Sequence, residues 1–218
     1  MIAHFISKHR MKTSIKTLLF FLISSMTFGQ EAIIEDKSVT KTFESKGLSK
    51  SQILSRAESY FTAEDNPDKN VIESMDTQKG QLKVTGETQV LYKNIGKDMY
   101  PKRSGMAEVL EAGFGYRMEL QMKENTFDIS YTVVDMKKEM YKKQDVFFDC
   151  VNFNEINQED LQRYNKAMNK LLKANFVFKK RRELFMENSQ YQFEEVSRFL
   201  LNEGELKIFS LQEAIGTD

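Results

Sequence analysis

The chain has 218 residues with 32 Lys and Arg against 32 Asp and Glu, 12 Met, 17 Phe, two Pro, one Cys and no Trp. That length suffices for one domain with a buried core, or a domain plus an appendage, and the composition argues against extensive disorder. A single Cys and two His exclude the Cys- and His-rich sets that structural zinc sites draw on.

Residues 1–29 read as a secretory signal peptide. Lys12 and Lys16 form a basic start, Leu18-Leu19-Phe20-Phe21-Leu22-Ile23 begin an apolar run, and Thr27-Phe28-Gly29 offers small residues for cleavage before Gln30. Met11-Lys12 is the more natural start of such a signal. The apolar run is shorter than the roughly 20 residues a membrane-spanning helix needs. A lipid anchor would require a Cys at the cleavage point, whereas the only Cys is Cys150. The chain is therefore expected to be exported, periplasmic or extracellular, with no transmembrane helix once mature, and not a lipoprotein. Cleavage would remove four basic residues (Lys8, Arg10, Lys12 and Lys16), no acids, and both histidines, His4 and His9. That leaves 28 basic against 32 acidic residues, a formal charge of −4.

After a short lead-in over 30–38, the alternation of Val39, Lys41 and Phe43 with Thr40 and Thr42 predicts a first strand. A helix starts at Ser49, which caps it, with Gln52 three residues on to complete a capping box and Leu48 and Ile53 at staple positions. Ile53, Leu54, Ala57, Tyr60 and Phe61 form its apolar stripe, leaving Lys50, Arg56 and Glu58 on the other side, and Asn66-Pro67-Asp68 ends it. Strands Val71–Asp76 and Gln81–Tyr92 follow, turning at Thr77-Gln78-Lys79-Gly80; Leu82, Val84, Val90 and Tyr92 share one side of the second. The first fits two registers equally well.

Gly47-Leu48-Ser49-Lys50, the amphipathic helix, Val71-Ile72, Gly80 and the paired strands resemble an exported bacterial family, domain of unknown function 4468. The resemblance spans about residues 39–135. It implies a TATA-binding-protein-like fold, and its motifs are structural, so it brings no catalytic residue with it. The segment 93–113 is long for the family; with Gly96, Pro101, Gly105 and Gly113 and no clear period, it reads as a loop.

The next hairpin is the cleanest pattern. A two-residue turn at Glu124-Asn125 pairs Met122 with Phe127, Leu120 with Ile129, Met118 with Tyr131 and Tyr116 with Val133, putting every apolar side chain on one face. Asn125 suits the left-handed backbone such turns use. The other face is wet and presents Arg117, Glu119, Gln121, Asp128 and Ser130, the candidate interaction surface. Further on, Phe147-Phe148-Asp149-Cys150-Val151 reads as a short buried strand or packed loop. Residues 157–175 read as a helix with the stripe Leu161, Tyr164, Met168, Leu171 and Leu172. Another helix is expected over 181–201, ending near Gly204, with Leu206, Ile208 and Leu211 docking back from the tail.

Little here carries chemistry. Nucleophilic triads and Cys–His dyads need a base that the mature chain lacks, and no spacing marks a Ser–Lys pair. Cys150, among Phe148, Val151 and Phe153, reads as a buried small hydrophobe, with pairing between chains as the alternative. Glu64-Asp65-Asn66-Pro67-Asp68 lacks the order of a calcium loop, and Gly113-Phe114-Gly115 is no phosphate loop. Lys179-Lys180-Arg181-Arg182 is the basic run: a patch for nucleic acid or anionic lipid is weighed against a solvated helix start, and the nearby acids Glu183, Glu187, Glu194 and Glu195 favour the latter. Shared fold does not carry DNA binding with it, and mixed charge on the wet face speaks against a phosphate backbone.

The expectation is an α+β fold, an antiparallel sheet with helices packed on one face, over about 38–175, followed by a helical C-terminal extension over 176–218. The functional expectation is a non-catalytic binding or interaction module of the cell envelope. It takes an unknown envelope protein or ligand, no nucleic acid, no cofactor and no metal. The alternatives are a small-ligand carrier with a pocket between sheet and helices, and a hydrolase using only carboxylate, Lys and Tyr groups.

Overall fold

The computed structural model describes residues 32–63, 70–136 and 144–216. The chain divides into two units, Met1–Gln30 and Glu31–Asp218, and the described residues belong to the second. The signal peptide read over 1–29 and the acidic stretch Glu64–Asp68 lie outside them.

Six antiparallel strands form one sheet in the order β1-β2-β6-β5-β4-β3. They are β1 (Ile33–Glu35), β2 (Ser38–Glu44), β3 (Val71–Asp76), β4 (Gln81–Lys93), β5 (Val109–Met122) and β6 (Thr126–Met136). The described helices are α1 (Lys50–Thr62), α2 (Ile95–Met99), α3 (Gln144–Asp149), α4 (Gln158–Ala174) and α5 (Lys179–Ile215). The α+β class with helices packed on one face is the observed architecture. Alternation sets it: Val39, Leu82, Val84, Val90, Tyr92, Tyr116, Met118, Leu120, Phe127, Ile129 and Tyr131 are all buried on the covered face.

The local signals formed as expected in several places. Ser49 and Gln52 make both halves of the capping box at α1, and Ile53, Leu54, Ala57 and Phe61 are buried. The β5–β6 pairs are Met122 with Phe127, Leu120 with Ile129, Met118 with Tyr131 and Tyr116 with Val133. The β3–β4 turn passes through Gly80 at φ +70. In β3 the register shifts between Ile72 and Ser74, which is why neither of its two readings fits the whole strand.

Five expectations are corrected. The lead-in contains β1, paired with β2. The segment 93–113 is mostly structured: β4–β5 pairing runs unbroken from Gln81 with Gln121 to Lys93 with Val109, so Gly113 and Gly115 lie within β5. Only 94–108 connects the strands, and it holds α2, capped by Asn94, whose side chain accepts from Gly96 N at 2.9 Å and donates to Ala107 O at 2.8 Å. Two glycines in β5 erased the strand's periodicity. Asn125 is not in the left-handed region, although the pairing it was invoked for holds. The segment 147–151 is the end of α3 and the turn after it, because Phe147, Cys150 and Val151 fall at helical spacing and all are buried.

The last correction concerns Gly204. The helix does not end there but runs to Ile215, where Gly216 takes φ +73 and Arg56 from α1 donates to the Ile215 carbonyl. Helix α5 packs against β2, β6, β4, α1, α2 and α4. A Cβ at Gly204 would lie 2.5 Å from Tyr131 Cδ1, so glycine is what lets the helix press onto the sheet. Lys41 on β2 adds an ion pair to Glu205 at 3.1 Å. In the tail, Ile208 and Leu211 are buried, but Leu206 is exposed.

Gly204 gives two effects of opposite sign. An alanine in a helix interior is favoured over glycine by about 1 kcal/mol, whereas overpacking a filled core costs about 1–3 kcal/mol. Gly204→Ala is expected to lower the urea midpoint of unfolding. A raised midpoint would mean that α5 does not approach Tyr131 this closely in solution.

Candidate functional site: the open face of the sheet

The uncovered face is built in three cross-strand rows. The first runs Ser38, Thr132, Arg117, Thr85, Val71; the second Thr40, Ser130, Glu119, Lys83, Ser74; the third Thr42, Asp128, Gln121, Gln81, Asp76. All five residues singled out from the sequence (Arg117, Glu119, Gln121, Asp128 and Ser130) therefore sit side by side, half-buried, on the two middle strands.

The charges on the two middle strands each have a partner, on the next strand, two strands away on β3, or in the adjoining turn. Arg117 Nε is 3.3 Å from Glu73, Lys83 Nζ is 3.3 Å from Glu119, and Asp128 takes Lys123 at 2.7 Å and the Thr42 hydroxyl at 2.8 Å. Gln121 bonds Gln81 alongside it, and Ser38 and Thr132 share a hydroxyl contact of 3.0 Å. At the β3–β4 turn, Asp76 accepts from Lys79 N at 2.9 Å, and that backbone bond holds its carboxyl below the usual range. Such a surface offers hydrogen-bond donors and acceptors in a fixed pattern with little net field.

Residues 40–137 match a domain of unknown function (DUF4468) with TBP-like fold. The matched segment runs from within β2 through β6 and so contains most of the open face, while α3, α4 and α5 lie beyond it. Two solved structures are similar. One is a DUF4468 family protein from Bacteroides ovatus ATCC 8483, at 14% identity and TM-score 0.38, covering 49% of this chain and 58% of that one. The other is a TBP-like protein from Parabacteroides distasonis ATCC 8503, at 12% identity and TM-score 0.37, covering 77% and 92%. This chain thus spans little more than half of the first of them. No curated protein matches the sequence.

Other chemistry-bearing groups are used by the fold. Lys207, on α5, is buried, 3.2 Å from Glu203 and with its ammonium 5.0 Å from the Tyr116 ring centroid. Tyr116 donates to Asn70 Oδ1 at 2.7 Å, a contact that passes over Gly86, where a Cβ would meet the phenol oxygen. A groove of about 530 Å³ lies between the 152–158 segment and α5, lined by Asn152, Phe153, Ile156, Ser197 and Arg198 among others. Its lining lies on that segment and α5 rather than on the sheet; among the helices Phe147, Phe193 and Tyr164 pack with ring centroids 4.8–6.1 Å apart, and Phe147 meets Tyr92 of β4 at 5.7 Å.

Sequence reasoning placed the open-face residues of the second hairpin because both strands and their turn are contiguous. It missed Thr42, Glu73 and Lys83 as their partners, since tertiary topology alone places β2, β3 and β4 beside β6 and β5, and it also missed Lys123, which sits in the local turn.

Cys150 is fully buried and free. Burial pushes its thiol up from 9.0 to about 12, helped by Asp160 and Asp149 and opposed by Arg163 and Lys37. The folded state thus holds its proton through the range in which an unfolded thiol loses it, so this group's contribution to stability falls as the pH rises from about 9 toward about 12. Near pH 8 the thiol is expected to be silent toward iodoacetamide in the native protein and to react once denaturant is added. Rapid native labelling would mean that the α3 turn opens.

Proposed function

We propose that this chain is an exported, non-catalytic interaction module of the cell envelope that meets its partner with the open face of the sheet. One observation carries the reading. Mostly polar side chains stand in three rows across five strands, with the charges of the two middle strands, Arg117, Glu119 and Asp128, each in an ion pair, on a support stiffened from behind by α5. Paired charges on a rigid sheet favour recognition of a complementary polar surface over proton transfer, which needs a group left free to titrate. Export is supported by the basic start, apolar run and small-residue site within residues 1–29. The close packing of Tyr92 on Phe147 and of Tyr131 under Gly204 between sheet and helices weighs against the carrier alternative. The burial of Lys207 beside Glu203 weighs against a hydrolase built on Lys and Tyr.

A photo-reactive amino acid at Ser130, compared with one at the exposed Lys166 on α4, tests the surface in the native envelope. Cross-links to one reproducible protein are expected from Ser130 alone. Lys83→Gln combined with Arg117→Gln should abolish them while changing stability by about 1 kcal/mol or less per pair, since these ion pairs are partly exposed. Cross-links from Lys166 only, or turnover of a substrate that one polar substitution abolishes, would refute the reading. Amino-terminal sequencing of the envelope-associated protein is expected to begin at Gln30.

A further inference from the structure

The turn between α4 and α5 spends two residues in ways that do not serve the fold. Helix α4 ends at Ala174 with Asn175 as its C-cap, and Phe176 follows in the left-handed region at φ +57, the position where glycine is the usual residue. Phe178 is the N-cap of α5 and makes no side-chain cap bond, where Ser, Thr, Asp or Asn would. Phe176 is 93% exposed and Phe178 74% exposed, while Val177 between them packs on the core. Two phenylalanines therefore project from the tip of a tight helical hairpin.

A cationic rim surrounds them. Lys173 lies in the last turn of α4, and Lys179 and Lys180 open α5, all exposed. The Arg181 guanidinium lies 4.1 Å over the Tyr100 ring and 6.0 Å from the Phe178 ring. That stack brings the exposed Lys102 and Arg103 of the β4–β5 connection to the same pole. Within the run Lys179-Lys180-Arg181-Arg182, only Arg182 turns inward, donating to Asn169 Oδ1 at 2.9 Å and to Val177 O at 2.5 Å. Glu183 offsets Lys179 at 3.6 Å, with both side chains exposed.

We propose that this tip docks on an anionic phospholipid bilayer, Phe176 and Phe178 entering the interface while the lysines and arginines meet lipid phosphates. An apolar tip with a cationic rim fits an interfacial layer that is apolar below and negative above. Single-stranded nucleic acid instead calls for a basic groove that tracks the backbone, and these rings stand on a projection. Among the described residues no helix is long and apolar enough to cross a membrane, so attachment through this pole is interfacial. Phe176, Phe178, Lys179 and Lys180 lie outside residues 40–137, and none of the pole's residues belongs to the three rows of the open sheet face.

Co-sedimentation of the full chain with vesicles of phosphatidylcholine alone, and of equimolar phosphatidylcholine and phosphatidylglycerol, tests the proposal; residues 1–29 are common to every variant. Binding is expected to rise with phosphatidylglycerol and to fall with added salt. Phe176→Gly is the decisive variant, because it should raise the unfolding midpoint by relieving the left-handed backbone yet weaken vesicle partitioning by roughly tenfold, the worth of one phenyl group leaving water. Lys179→Glu with Lys180→Glu should remove the preference for phosphatidylglycerol. Three outcomes would overturn the proposal: equal binding to both vesicle types, partitioning unchanged in Phe176→Gly, or retention of the tip on heparin or RNA with no vesicle binding.

Discussion

The structure depends on the burial of one long helix across one face of the sheet. Helix α5 is the element against which β2, β6, β4, α1, α2 and α4 are all placed. Its inward positions follow a helical stripe from Phe185 through Phe193, Val196, Leu200, Gly204 and Ile208 to Ile215. Gly204 sets the distance: with Tyr131 directly beneath it, any side chain there would lift the helix and loosen contacts on both sides. Tyr131 in turn lies against Tyr116, with ring centroids 5.1 Å apart, and Lys207 covers that second ring. One backbone approach thus aligns a glycine, two tyrosines and a buried ammonium in a continuous stack.

Much of this was legible where the information is local. The capping box at Ser49, the turn at Gly80 and the β5–β6 register are decided within a few residues of sequence, and each appears as its pattern implies. The failures share a cause. Gly113 and Gly115 carry no side chain to mark a strand, so β5 looked shorter than it is, and Gly204 looked like a helix stop. Glycine ends a helix when left-handed backbone is needed, as at Gly216, but permits close packing when the backbone stays helical, as at Gly204. Sequence alone does not distinguish the two. The partners Lys83 and Glu73 for Glu119 and Arg117 were hidden for a different reason: strands far apart in sequence pair only once the whole sheet is assembled.

The edges of the sheet bear on the proposed contact with a partner. An open edge invites addition of a further strand. Here β1 is only three residues long, and β3 carries a register shift between Ile72 and Ser74 that interrupts its hydrogen-bonding edge. Both devices blunt strand addition, even though Val71 and Met75 on β3 are exposed. Under the proposed function, these edges favour contact through side chains on the face over contact through backbone at the edge.

The extent of the family match and the placement of the core also constrain each other. Residues 40–137 supply β2 to β6 with α1, and that segment makes a sheet whose inner face holds Tyr116, Phe127, Ile129 and Tyr131, all fully buried. Much of the cover comes from α5, which lies outside the matched residues and reaches β2, β6 and β4 directly. A sheet with one apolar face needs a lid, and leaving several such side chains in water costs roughly 1.5–3 kcal/mol each. The matched segment of this chain cannot therefore be treated as a free-standing unit. Any surface carried by α4 and α5, the projecting Phe176 and Phe178 among them, is attached rigidly to the back of the open face, and what is bound at one is held at a fixed distance from the other.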